Sequence, residues 1–148
     1  RRWHHGFHRT ADLPEALIQG REEVYLGWFY QNFSHRPEAI DEATVTEYLR
    51  TYTKPGALRA GFSYYRAIPQ DIADNRGMLE RDGKLTMPVL GLGGNRAWGR
   101  KMEVVESLNR VATDVHGGQI SECGHFIPEE RPDETLKMLL AFFTEEGD

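Results

Sequence analysis

The chain has 148 residues, room for one ordinary domain but not for two well-formed ones. Apolar residues make up 39% and aromatics 11%, a mixture that suits a compact core with an aromatic-rich helical part. A net charge of −5 with both signs interspersed argues against a nucleic-acid partner, and apolar runs such as Met138 to Phe143 fall short of a membrane-spanning helix.

From Leu13 to Phe33, apolar residues recur at near-helical spacing (Leu17, Val24, Trp28 and Tyr25, Phe29, Phe33), so one helix is predicted. Asp12 is its expected cap, with Pro14 in the first turn. Asp41 is the expected cap of a second helix with a stripe of Val45, Tyr48, Leu49 and Tyr52. Pro55 starts a third, with Leu58, Phe62 and Tyr65 on one face, and Pro69 ends or bends it. The texture changes near Arg81-Asp82-Gly83-Lys84, which divides the chain into a helical segment, 1–83, and an α/β segment, 84–148.

In the second segment Met87 to Leu92 reads as a buried parallel strand ending in Gly93-Gly94. Met102 to Leu108 reads as a helix. Val111 to Val115 and Gln119 to Ser121 read as strand pieces around a Gly117-Gly118 break. Pro132 opens a last helix with Asp133 and Glu134 in its first turn, and Leu136, Leu139, Leu140 and Phe143 form its core-facing stripe. Two parallel strands do not make a stable sheet alone, so further strands are expected upstream of Arg1. The opening Arg1-Arg2-Trp3-His4-His5 has no Met and no leader, and reads as the middle of a longer protein. The single Cys123 excludes an internal disulfide framework and a Cys-rich zinc site. It is compatible with a reducing compartment, and a cytoplasmic location is the default expectation.

The stretch Ser121-Glu122-Cys123-Gly124-His125-Phe126-Ile127-Pro128-Glu129-Glu130-Arg131-Pro132 places a histidine on a loop between the last strand and the last helix. A general base needs a group that titrates near neutrality on a rigidly held loop. Read from residues alone, His125 is either that base or a histidine serving the structure. The whole segment resembles the histidine loop of the α/β-hydrolases.

The stretch Pro55 to Ala67 resembles the lid helix of the epoxide hydrolases and haloacid-type dehalogenases of that superfamily, where a Tyr directly before an Arg points into the active site. By position this is Tyr65, before Arg66. A phenol stays neutral at pH 7 and can donate a hydrogen bond to an epoxide oxygen; the alternative is that Tyr65 only packs. The Trp3-His4 pair resembles the Trp-His pair that opens the same lid, which makes His4 a second donor. Fluoroacetate dehalogenases carry Trp after that His; here His5 stands there, so the pattern favours epoxide opening. A metal site from His4, His5 and His8 is the competing reading: two His at i and i+4 on a helix could bind zinc, but no obvious third ligand follows.

The resemblance implies the C-terminal part of an α/β-hydrolase: a helical lid followed by the last strand–helix–strand–helix of a mostly parallel sheet. It implies His125, Tyr65 and His4 as catalytic residues, and Trp3, His5, Phe62, Tyr64 and Phe126 as substrate-binding residues. The family nucleophile is an Asp on a tight strand-to-helix turn. Neither Gly-x-Asp-x-Gly nor Gly-x-Ser-x-Gly occurs in the chain, so the nucleophile is expected upstream and the chain alone is expected to be inactive. Many relatives place the triad acid after the strand matching Met87 to Leu92. Asn95 stands there, so the acid is expected after an earlier strand, with an impaired triad as the alternative. Glu129-Glu130 is expected to be the solvated start of the final helix, and Cys123 a small packing residue.

The implied substrate is a small apolar epoxide or halogenated compound, with no metal, cofactor, nucleic acid or membrane required; a homodimer is compatible with the complete protein. A haloalkanoate dehalogenase or ester hydrolase on the same fold, and a truncated chain without a catalytic role, remain as alternatives.

Overall fold

The structure, a computed structural model, describes residues 2–144; Arg1 and residues 145–148, the outer ends of the two expected segments, lie outside them. Its elements in chain order are α1 (Trp3–Arg9), α2 (Leu13–Ile18), α3 (Glu22–Phe33), a 3₁₀ turn (Pro37–Ala39), α4 (Glu42–Tyr52), α5 (Ala57–Asp82), β1 (Val89–Gly94), α6 (Glu103–Leu108), β2 (Val115–Ile120), α7 (Ile127–Glu130) and α8 (Pro132–Thr144). They form two compact units, residues 2–28 with 42–82 and residues 29–41 with 83–144.

The first unit is helical. Its core holds Ile18, Leu58 and Phe62, with Phe7 and Tyr25 packed against them. The helix expected from Leu13 to Phe33 is two helices, because Gly20 takes φ +79°, a left-handed conformation that ends α2, and its N–H is bound by the Glu22 carboxylate at 3.0 Å. Asp12 does not cap α2: its φ is +61° and its carboxylate pairs with Arg59. The expected stripe is also turned outward, with Val24 75% exposed and Leu17 53% exposed. α5 runs for 26 residues and contains Pro69, so the proline does not end it. Proline lacks an N–H, so the Tyr65 carbonyl has no i+4 amide to bind, one turn from the tyrosine of interest. Arg66 ties three segments, donating to both Glu15 oxygens (2.8 and 3.0 Å) and to the Thr10 carbonyl (2.9 Å).

The second unit is α/β. β1 and β2 are parallel neighbours in register Val89↔Val115 through Gly94↔Ile120, with α6 packed on both and α8 on β2. The Gly117-Gly118 pair does not break β2. It sits within the strand because Gly117 faces Gly91, where an added Cβ would lie 2.1 Å from the Gly91 carbonyl oxygen. The last helix starts at Pro132 as expected, but its stripe is not core-facing: Leu136 is 56%, Leu140 54% and Phe143 74% exposed. α8 packs on β2 and α7, with Thr135 buried and donating its hydroxyl toward the Ile127 carbonyl of α7 (3.4 Å), while Met138 and Leu139 are half-buried. No helix among the described residues is long and apolar enough to cross a membrane.

Candidate functional site

Two clusters of the expected residues stand out, one in each unit. In the second unit, β2 ends at Ile120 and the chain turns at Glu122, which has φ +48°. Asn95, just past β1, accepts the Glu122 N–H at 2.9 Å, so the side chain at the expected acid position serves this turn. The Glu122 carboxylate accepts from Arg96 and from His35 (3.0 Å), and these bonds hold its carboxyl below the usual range.

His125 follows on the surface of the loop. Its ring meets Phe33 edge-on (5.7 Å, 88°) and Phe126 likewise (5.1 Å, 83°), and Phe33 is stacked on Trp98 (4.5 Å, 7°). The substrate-binding expectation for Phe126 falls on a half-buried ring that also touches Tyr30 (5.4 Å). Gly124 is fully enclosed; a Cβ there would lie 2.5 Å from the His35 nitrogen and 2.7 Å from the Phe33 oxygen. Cys123 is buried with 0% exposure, and burial raises its thiol to about 11, which leaves no thiolate at neutral pH.

Glu130 corrects an expectation. It is fully buried, not the solvated start of the last helix, because four backbone N–H groups replace its water. Oε2 accepts from His35 (2.8 Å), Arg36 (3.0 Å) and Gly124 (2.9 Å), and Oε1 accepts from Phe126 (3.1 Å).

The first unit brings His4, His5 and Tyr65 together. Ring centroids are 6.1 Å apart for His4–Tyr65 and 5.4 Å for His5–Tyr65, both nearly perpendicular. Burial raises the Tyr65 hydroxyl above the ordinary phenol range, with Tyr52 adding to it, so Tyr65 keeps its proton at neutral pH. His8 joins the cluster, at 4.4 Å from Tyr65 and stacked on Phe62 at 4.5 Å. Its Nε2 shares a 2.5 Å hydrogen bond with the Tyr25 hydroxyl. Burial, then the charges of His4, His5 and Arg66, lowers His8 to about 4, so this imidazole is neutral at pH 7. Burial also raises Tyr25, helped by Tyr65. Helical spacing from His4 to His8 was the only sequence signal for this residue, and nothing local linked it to Tyr25. Among the described residues no group of three or more His, Cys, Asp or Glu side chains is arranged to hold a metal ion.

The remaining expected residues lie elsewhere in this unit. Phe62 is in the core. Tyr64 is 79% exposed, on the opposite side of α5 from the packed Phe62. Trp3 meets Trp28 at 5.7 Å and borders an apolar cavity of about 320 Å³ with Leu17, Ile18, Val24 and Tyr25.

No protein-family model matches the chain. The soluble epoxide hydrolase of Corynebacterium sp. is 32% identical over 136 residues, covering 90% of this chain and 46% of the relative. The crystal structure of wild-type Cfl2 from Burkholderia cenocepacia superposes with a TM-score of 0.88 at 43% identity, over 97% of this chain and 48% of that one. The epoxide hydrolase CorEH, solved without ligand, gives 0.82 at 31% identity, over 95% and 49%. The chain thus spans about half the length of the relatives it matches.

Proposed function

The chain belongs to the epoxide-hydrolase-like α/β-hydrolases, matching their C-terminal part, and from that membership we propose that it serves an enzyme opening apolar epoxides to vicinal diols. The observation that carries the proposal is the His125 loop: an exposed imidazole on a loop just beyond the C-terminal end of a parallel strand, braced by Phe33 and Phe126. Ligand sites of open α/β sheets lie at that end.

The reaction takes two steps. A carboxylate of an Asp outside this chain attacks an epoxide carbon; the C–O bond breaks and an alkyl–enzyme ester forms. Tyr65 gives its hydrogen bond, and then its proton, to the oxygen that leaves, and His4 is the second donor. Burial keeps the Tyr65 phenol protonated in the resting protein, so it enters the first step as a hydrogen-bond donor. In the second step His125 takes a proton from water and the hydroxide attacks the ester carbonyl; the diol's oxygen leaves with the proton that His125 returns, and the acid proton left on the Asp goes back to Tyr65 as the carboxylate is restored. The residues of this chain supply the proton donors and the base, and the 148 residues alone do not turn over epoxide. His5 after His4 supports epoxide opening over dehalogenation.

The test is to offer the complete gene product a terminal aryl epoxide and a halogenated acid of matched size. Diol formation without comparable halide release is expected. Halide release that outpaces diol formation overturns the reading.

A further inference from the structure

We propose that Glu130 is the positioning residue of His125: its buried carboxylate fixes the backbone on both sides of the imidazole and sets the base for ester hydrolysis. The inference rests on His125 being that base. Three consecutive amides of the loop are all bound. Gly124 N–H donates to Glu130 Oε2 (2.9 Å), His125 N–H to the Phe33 carbonyl (3.1 Å), and Phe126 N–H to Glu130 Oε1 (3.1 Å). Every torsion that could swing the His125 Cα is thereby held between two anchors.

The same carboxylate also accepts from the His35 and Arg36 amides, 95 and 94 positions away in sequence, and Arg36 Nη1 donates to the Glu130 carbonyl at 3.0 Å. One residue therefore clamps the histidine loop to the segment that follows Phe33, and Phe33 is the ring His125 leans on. Enclosed Gly124 leaves no slack between the two strands of this clamp. The chemistry is specific to a carboxylate. All four partners are N–H donors, and both oxygens are used, so a group with acceptors on both arms is required. A glutamine has one acceptor and one donor arm; whichever way it is turned, its NH₂ faces at least one N–H donor.

The experiment uses the complete gene product with a terminal aryl epoxide and measures alkylation and ester hydrolysis separately by rapid-quench kinetics. Glu130→Gln is expected to slow ester hydrolysis by about 10²-fold, the loss typical of an ångström-scale misplacement. Alkylation should stay within about twofold, and Glu130→Asp should recover part of the hydrolysis rate. Equal losses in both steps, or none in either, overturn the proposal. If neither variant folds, amide hydrogen exchange of the unaltered protein decides: Gly124 and Phe126 protected like the β1 amides support it, and exchange at the rate of exposed amides overturns it. His125→Ala run in parallel separates the two readings. If it leaves ester hydrolysis intact, the assignment of the base fails; if it abolishes hydrolysis while Glu130→Gln does not slow it, only the positioning role fails.

Discussion

Gly124→Ala should damage both stability and the hydrolytic step, and the size of each effect follows from the packing around the loop. A Cβ at position 124 would stand 2.5 Å from the His35 nitrogen, 2.7 Å from the Phe33 oxygen and 2.9 Å from Glu130 Oε1. Two of the three are backbone atoms, and the carboxylate oxygen is itself bound to the Phe126 N–H. None is the free end of a flexible side chain, so the loop must open by about 0.5–1 Å to restore ordinary contact distances. Overpacking of this kind costs about 1–3 kcal/mol. In a protein of this size or larger, each kcal/mol lowers Tm by about 2–4 °C. The shift moves His125 away from Phe33, so ester hydrolysis should fall by about 10- to 100-fold. Ring opening, which the proposed mechanism assigns to Tyr65 and His4, should change little. Thermal unfolding by circular dichroism and rapid-quench kinetics on the complete gene product give the two readouts. A variant as stable as the parent with unchanged hydrolysis would mean that the loop absorbs the added methyl group without moving His125.

Tyr65→Phe removes one hydrogen-bond donor and should slow alkylation by about 10²-fold while ester hydrolysis stays near its original rate; equal loss in both steps would make Tyr65 a packing residue. Lowering the pH should destabilise the protein through His8, whose folded value of about 4 lies below its ordinary 6.5. The unfolded chain takes up that proton first, so the contribution is complete above about pH 6.5 and is lost as pH falls toward 4, with an upper limit of about 3 kcal/mol. Urea titrations of the parent and of His8→Gln between those limits check the sign. The variant should show the shallower loss, and parallel pH profiles would assign the acid sensitivity elsewhere.

Much of the fold is legible because it is local. The strand–helix–strand–helix order, the start of α8 at Pro132 and the start of α4 after Asp41 follow from periodicity and from Pro and Asp at helix starts. The misses have physical causes. Of the two effects expected of Pro69, ending or bending its helix, the first does not occur, because losing one internal hydrogen bond does not stop a helix of 26 residues. Gly117-Gly118 suggests a break, but glycine also permits two strands to approach closely, and only pairing with Gly91 decides between these uses. Periodicity tells which side chains of α8 share a face; it does not tell whether a surface covers them, and Leu136, Leu140 and Phe143 stay exposed. In the candidate site, His4, His5 and Tyr65 do gather in one cluster. His8 and Tyr25 are 17 positions apart, and the partners of Glu130 are 94 and 95 positions away. Nothing in a local pattern reveals such contacts, and a buried glutamate at the end of a short helix looks the same in sequence as a solvated one.

In the proposed mechanism His125 activates the water that hydrolyses an alkyl–enzyme ester. Intact-protein mass spectrometry of His125→Ala, mixed with a terminal aryl epoxide in the complete gene product, tests it directly. The variant should gain the mass of one epoxide and keep it for far longer than the parent, and peptide mapping should put the adduct on an aspartate outside these 148 residues. Continued diol release at the parent's rate with no adduct would contradict the mechanism.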